Sequence, residues 1–230
     1  MPSVANRLIE GLPRRARNEL LALCERVQLS PGEVLHHRGS PARHIYFPTG
    51  GTLSLWSPPG DLPVLEIAMV GNEGMLGAHF ALGVGTSATF AEVRGAGSAW
   101  RMAAAPFKVE LSRSAPLERS IRRYLHVTIL QYVSMARCSR FHTLDQRLAR
   151  WLLMAHDRAA EDTISVTQEL MASMLGVRRV GITMAASALQ RRAIIEYARG
   201  EVTILDRTSL EASACACYGT DRRSYSQFLS

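Results

Sequence analysis

The sequence predicts an α+β protein in which a strand-rich N-terminal half is joined by one long helix to a helical C-terminal part. Three observations lead to this prediction. Six short apolar runs, separated by glycine and proline, fall between residues 34 and 102. Apolar residues then recur at helical steps over residues 116–137, and residues 167–205 have the pattern of helix, turn, helix and β-hairpin.

The composition fits two modest globular domains. The chain has 230 residues, of which 47% are hydrophobic and 20% charged, as in folded rather than disordered proteins. The formal net charge of +7 favours an anionic partner without identifying it. Because no apolar run reaches the length of a membrane span and Met1 begins no signal-peptide pattern, we expect a cytoplasmic protein without membrane contacts.

The N-terminal half is predicted to begin with a helix over residues 6–27, interrupted near its start by Pro13. Residues 52–55 alternate polar and apolar side chains, as a half-buried strand does. Many short strands with regular turns are typical of a β-sandwich or small barrel. The predicted strands are residues 34–35, 45–47, 52–56, 64–70, 86–93 and 98–102.

One long helix is predicted over residues 116–137. Its apolar positions follow the alternating four- and three-residue steps of a coiled-coil seam, and we predict that this seam forms a homodimer. The predicted dimerisation residues are Ile121, Leu125, Thr128, Tyr132 and Met135. The periodicity breaks at residues 141–143, which we take as a domain boundary, and a new helix is predicted over residues 144–156.

Residues 167–192 have the pattern of a helix-turn-helix. Thr167 is suited to cap a helix, and Gly176 is suited to end it because glycine adopts the left-handed conformation without steric cost. A second helix begins almost at once, so the two helices must cross sharply. In this motif the second helix can enter the major groove of DNA.

The second helix separates an apolar stripe from a basic face. Ile182, Ala185, Ala186 and Leu189 form the stripe, which is predicted to face inward. Four arginines and no acidic residue occur between residues 178 and 192, which favours a polyanionic partner. Arginine can bind a guanine edge with two hydrogen bonds, and threonine can contact a thymine methyl. The candidate DNA contacts are Thr167, Gln168, Arg178, Arg179, Thr183, Ser187, Gln190 and Arg191.

A β-hairpin is predicted after this helix. Residues 194–197 and 201–205 are short β-type runs on either side of Arg199 and Gly200, so that Arg199 lies at the tip as a further candidate DNA contact. A helix-turn-helix followed by such a hairpin is a winged helix.

These residues resemble the C-terminal DNA-binding domain of the Crp/Fnr family of bacterial transcription regulators. The matching residues are 167–169, Ala172, 175–177, Arg179, Leu189, Gly200 and 204–207. The resemblance implies that the strand-rich half is a cyclic-nucleotide-binding-type jelly roll (a double-stranded β-helix) and that the long helix dimerises the protein. The implied domains are a sensor (residues 1–115), a dimerisation helix and hinge (116–141) and a winged helix (142–230). The implied partners are a palindromic DNA operator and, for an activator, RNA polymerase.

The nucleotide pocket departs from the family pattern. Members that bind a cyclic nucleotide hold its phosphate with a Gly-Glu-Leu turn and an Arg-Ser pair, and Thr89 and Phe90 stand where that pair belongs. No arginine lies between Arg43 and Arg94, so a phosphate would lack its charged partner. We therefore expect no cyclic AMP binding of the usual kind, and we predict no cofactor and name no effector. The residues of this degenerate pocket are Gly71, Glu73, Gly74, Thr89, Phe90 and Tyr132.

The cysteines and histidines give no assigned site. Cys215 and Cys217 are compatible with a thiol switch or half of a metal site, but buried, unreactive thiols are the commoner outcome. Cys24 stands alone, whereas an iron–sulfur cluster needs several ligands at close range. We predict no metal ligand, and the scattered cysteines indicate a reducing compartment.

No catalytic motif is present: the sequence has no P-loop, no Gly-x-Ser-x-Gly elbow and no His-Glu-x-x-His pair, so we predict that the protein is not an enzyme. Two alternatives stay open. One is a regulator that senses redox state or a metal, and the other is a nucleotide-binding sensor whose helix-turn-helix contacts proteins.

Overall fold

The computed structural model describes residues 6–57, 64–159 and 162–229. The strands of the N-terminal half are β1 (Glu25–Leu29), β2 (Val34–His36), β3 (His44–Pro48), β4 (Thr52–Trp56), β5 (Glu66–Val70), β6 (Phe90–Gly95) and β7 (Gly97–Ala103). They form two antiparallel sheets with the orders β1-β7-β3 and β2-β6-β4-β5. Leu29, Leu53, Val70 and Val93 come from both sheets and pack between them, which confirms the expected jelly roll.

The start of the chain differs from the prediction of one helix over residues 6–27. Two short helices, α1 (Arg7–Glu10) and α2 (Arg14–Ala22), are followed by strand β1. Val27 lies in β1 opposite Ala99 of β7. Helical propensity is overridden here because β7 offers an open edge to which the alternating residues of β1 can pair.

The long helix predicted over residues 116–137 is present as α4 (Ala115–Phe141). It is preceded by a shorter helix, α3 (Ala104–Arg113), which was not predicted from the sequence. One face of α4 packs on the barrel through Leu117, Ile121 and Tyr124. The helix ends at Phe141 because His142 adopts an extended conformation. The next helix, α5 (Leu144–His156), begins with Thr143 and Gln146 in a reciprocal capping box.

The C-terminal part contains β8 (Thr163–Ser165), α6 (Gln168–Leu175), α7 (Arg179–Arg191), β9 (Ile195–Ala198), β10 (Glu201–Ile204), α8 (Arg207–Ser213) and α9 (Ala216–Phe228). The predicted hairpin is β9–β10, and β8 adds a third strand in the order β8-β10-β9. Residues from α5, α6, α7 and the hairpin share one core.

The end of the chain is more ordered than the sequence suggests. The sequence pattern predicts one helix over residues 208–218 and a loose tail over 219–230, but α8 ends at Ser213 and α9 continues to Phe228; Ser230 lies outside the described residues. Helix α9 packs along α4. Gln131 Nε2 donates to Tyr225 Oη at 2.6 Å, and the rings of His126 and Phe228 are 4.8 Å apart. Within the described ranges, none of the helices combines the length and apolar character that crossing a bilayer requires.

Candidate nucleic-acid interface

Helix α6 and the turn after it have the predicted caps. Thr167 Oγ1 accepts a hydrogen bond from the Leu170 backbone N at 3.2 Å, which satisfies one free N–H of the first turn. Gly176 ends the helix with φ of 62°, where a side chain would be strained. The chain therefore turns at residues 176–178 and enters α7 directly.

Helix α7 is held by its apolar stripe. Ile182, Ala185, Ala186 and Leu189 are all buried in the C-terminal core. Helix α7 lies close to α5 at Gly181, where a Cβ would be 2.8 Å from Leu144 Cδ2. The stripe and this contact fix which face of α7 remains open to solvent.

The open face carries most of the predicted DNA contacts. Arg178, Arg179, Thr183, Gln190 and Arg191 are exposed, and Ser187 is half-buried. Two contacts link this face to the start of α6. Thr183 Oγ1 donates to Gln168 Oε1 at 2.6 Å, and Arg179 Nη1 lies 3.9 Å from Glu169 Oε2.

The same face exposes two apolar side chains that are not among the predicted DNA contacts. Val180 is 64% exposed and Met184 is 69% exposed, and they lie one helical turn apart. Neither residue falls at the helical spacing of the buried stripe, so the sequence pattern alone could have identified both as exposed. Apolar groups on a basic helix can contact thymine methyl groups.

The hairpin lies beside the start of α6. The Gln168 backbone N donates to Tyr197 Oη at 3.2 Å, and the Val166 backbone N donates to the Gly200 carbonyl at 2.8 Å. At the tip, Arg199 and Gly200 have φ of 52° and 83°, as the central residues of a type I′ turn do. Arg199 is exposed there.

In the degenerate nucleotide pocket, protein side chains fill the glycine-rich turn. Glu73 is buried, accepts from the Gly71 backbone N at 3.1 Å and pairs with Arg158 Nη2 at 2.7 Å. A Cβ on Gly74 would lie 2.5 Å from Tyr124 Oη, so α4 reaches directly over the turn. Arg158 follows α5 and therefore comes from the C-terminal part.

The other predicted pocket residues have different neighbours. Thr89 accepts from Ser87 Oγ at 2.8 Å through its carbonyl, and Phe90 pairs with Trp56 in the sheet. Tyr132, the predicted pocket residue on α4, is 38% exposed. The tyrosine that contacts the glycine-rich turn is Tyr124, two helical turns earlier.

A second buried contact joins the barrel to α5. Glu66 of β5 accepts from Trp151 Nε1 of α5 at 2.6 Å and from Ser54 Oγ. Burial raises the pKa of Glu66 to about 7 because the charged form loses its water. This carboxyl group therefore changes its charge near neutral pH at the contact between the two parts of the chain.

The predicted dimerisation face is only partly open in the chain. Ile121 is 1% exposed and lies in the chain's own core, so it is not available to a partner in this conformation. Leu125, Thr128 and Met135 are half-buried. The large apolar side chains of α4 that are open to solvent are Ile129 (59% exposed), Tyr132, Val133 (52% exposed) and, at the end of the helix, Phe141 (75% exposed).

The comparisons with known proteins agree with this architecture. Residues 146–213 match the Crp-like helix-turn-helix domain family. No curated protein sequence matches the chain. Among solved structures, FixK2 from Bradyrhizobium japonicum has a TM-score of 0.71 at 14% identity, over 84% of this chain and 98% of that chain.

Two further solved structures give similar values. A transcriptional regulator of the CRP family from Thermus thermophilus has a TM-score of 0.68 at 20% identity, over 82% of this chain and 96% of that chain. The c-di-GMP-responsive global regulator CLP of Xanthomonas campestris has a TM-score of 0.65 at 18% identity, over 84% and 99%. The chain therefore has the fold of these regulators over most of its length, and its residues 146–213 match the Crp-like helix-turn-helix domain.

Proposed function

We propose that the protein is a cytoplasmic, homodimeric transcription regulator that places α7 in the major groove of a roughly palindromic DNA operator. The observation that carries this proposal is the open face of α7. Arg179, Val180, Thr183 and Met184 project from a helix whose opposite stripe is buried, and α7 contains no acidic residue.

The exposed residues divide into base readers and phosphate contacts. Arg179 is near the start of α7, where recognition helices place their base-contacting side chains. Val180 and Met184 add apolar contacts that favour thymine methyls. Three exposed arginines flank these base readers: Arg178, Arg191 and, at the tip of the hairpin, Arg199. They are placed to contact phosphates, which would position the protein on the DNA without reading its sequence. Thr167 and Gln168 add the N-terminus of α6 as a further phosphate contact.

Two copies of α7 are needed for a palindromic site. The exposed apolar surface of α4 at Ile129, Tyr132 and Val133 supports pairing of two chains along this helix. A symmetric dimer of helix-turn-helix domains binds half-sites about 10 base pairs apart, or a multiple of that distance. The domain division at residue 142 is supported by the break between α4 and α5.

Cyclic AMP is not the effector in this proposal. Glu73 is already paired with Arg158, and Tyr124 lies against Gly74 where a bound nucleotide would sit. Arg94, near the end of β6, is paired with Glu92 at 3.1 Å. Calorimetric titration with cyclic AMP should therefore give no binding, and a complex with the phosphate at residues 71–77 would contradict this part of the proposal.

Selection of DNA from a random duplex library by the full-length protein tests the DNA-binding function. We expect enrichment of a two-fold symmetric site, bound more tightly than random DNA. Arg14 lies exposed on α2 in the N-terminal half, so Arg14→Ala serves as a control that should retain this preference. If no site is enriched, the helix-turn-helix is a surface for protein contacts instead.

A further inference from the structure

Three cysteines and one histidine meet where α4 ends and α9 begins. Cys138 is in the last turn of α4 and His142 follows its end, while Cys215 and Cys217 lie at the start of α9. The four potential ligand atoms all lie within 4.8 Å of one another. Cys138 Sγ is 3.5 Å from Cys215 Sγ, and Cys217 Sγ is 3.7 Å from His142 Nδ1.

The two shortest separations match those of a tetrahedral metal centre, and the other ligand atoms, all within 4.8 Å, need to move inward by no more than about 1 Å. Zinc–sulfur bonds of about 2.3 Å and zinc–nitrogen bonds of about 2.0–2.1 Å place neighbouring ligand atoms roughly 3.5–3.8 Å apart. The three cysteines form a buried group of their own rather than part of a larger apolar core. Their sulfurs therefore face one another and the imidazole.

We propose that Cys138, His142, Cys215 and Cys217 bind one zinc-type divalent ion. Three thiolates and one imidazole select a soft or borderline ion over magnesium or calcium, which prefer oxygen ligands. Four protein ligands complete a tetrahedron and leave no open position for substrate, so the site is structural or regulatory rather than catalytic.

The surroundings are suited to charged ligands. Cys215 and Cys217 lie at the N-terminus of a 13-residue helix, whose dipole favours thiolates. The buried ion pair of Arg150 and Asp221, with 2.6 Å between Nη2 and Oδ2, joins α5 to α9 next to the cluster. His142 is half-buried, so it gives the ion a route in from solvent.

A simple disulfide explains less of this arrangement. A Cys138–Cys215 bond would need the sulfurs to approach to about 2.05 Å and would leave Cys217 and His142 without a function. A metal ion uses all four groups. It would also connect the end of α4 to α9, across 77 residues of sequence, and so hold the C-terminal helix against the dimerisation helix.

Cobalt(II) titration of the full-length, metal-stripped protein under anaerobic conditions is the direct test. We expect one cobalt per chain, with the visible bands of tetrahedral cobalt and a thiolate charge-transfer band, and stoichiometric displacement by zinc. Cys217→Ser and His142→Ala should each lose stoichiometric binding. Cys24→Ser removes the cysteine outside the cluster, and His126→Ala removes an imidazole that packs between α4 and α9; both should bind as the parent does.

If a ligand variant fails to fold, the alkylation rates of the parent protein still test the proposal. Zinc at about one hundred times its Kd should slow alkylation of Cys138, Cys215 and Cys217 by about a hundredfold, without slowing that of Cys24. The proposal is overturned if cobalt gives no thiolate band, if Cys24→Ser abolishes binding, or if zinc leaves the alkylation rates unchanged. A Cys138–Cys215 disulfide in metal-free protein that takes up no zinc after reduction would likewise overturn it.

Discussion

Arg158 Nη2 lies 2.7 Å from Glu73 Oε1, and both side chains are almost entirely buried. Glu73 belongs to the turn after β5, and Arg158 follows α5, so this ion pair joins the barrel to the C-terminal part. A Cβ on Gly71 would lie 2.7 Å from Arg158 Cγ, so only glycine leaves room for the arginine stem. The ion pair lies at the glycine-rich turn that the sequence predicts to be a degenerate nucleotide pocket.

Removal of one partner of this pair should destabilise the protein strongly. Glu73→Ala leaves a buried guanidinium without its counter-charge, and we expect a loss of about 3–5 kcal/mol in the free energy of unfolding. Urea denaturation monitored by circular dichroism measures this loss. Glu118→Ala breaks the exposed pair with Arg122 and should cost at most about 1 kcal/mol. Equal losses in both variants would show that the buried ion pair stabilises the fold no more than the exposed pair does.

The contact between Glu66 and Trp151 should make stability depend on pH. The pKa of Glu66 is raised to about 7 by burial, from an ordinary value of 4.5. Its stabilising contribution is therefore fully present below pH 4.5 and is lost as pH rises through about 7, because the folded state binds the proton more tightly.

Glu66→Gln should remove this part of the pH dependence, since an amide keeps a hydrogen-bond acceptor for Trp151 Nε1 but does not ionise. Urea denaturation at several pH values between about 5 and 8 should show a difference between parent and variant that changes by about 1–3 kcal/mol over this range. Glu19→Gln, in an exposed pair on α2, should show no such change. A constant difference between Glu66→Gln and the parent would contradict the prediction.

Arg179 and Arg191 should differ in how they affect DNA binding. Arg179→Ala should cost roughly 1–3 kcal/mol on the selected operator and little on random DNA, as expected of a base contact. Arg191→Ala should weaken both and lower the salt slope by about one unit. Fluorescence anisotropy at two salt concentrations separates these outcomes. An equal effect of Arg179→Ala on the two DNAs would make it a phosphate contact and change the orientation of α7.

Ile129 should be a more selective probe of dimerisation than Ile121. Ile129→Glu places a charge on the exposed surface of α4. The charge is destabilising only if a partner chain buries it, so the variant should weaken dimerisation and leave the fold of the single chain intact. We expect light scattering to give a monomer with an unchanged circular dichroism spectrum and with much weaker operator binding. Ile121→Glu should instead unfold the chain, because this side chain is buried in the core that α4 forms with α1, α2, α3 and β3. A dimeric Ile129→Glu variant would remove this face from the interface.

The sequence by itself determined the elements that depend on local patterns. The cap at Thr167 and the left-handed Gly176 specify a helix end through interactions within a few residues. The turn at Arg199 and Gly200 and the helix over residues 144–156 were predicted for the same reason, and both formed as predicted. The buried stripe of α7 also follows from a local period, which let the exposed basic face be predicted.

Only the tertiary structure decided the contacts between distant segments. Strand β1 exists because β7 pairs with it, and α9 is ordered because α4 lies beside it. Arg158 and Glu73 are 85 residues apart in the sequence, and Cys138 and Cys215 are 77 apart. No periodicity relates such residues, because their proximity follows from how whole elements pack. The ion pair and the proposed metal site could therefore be identified only from the folded structure.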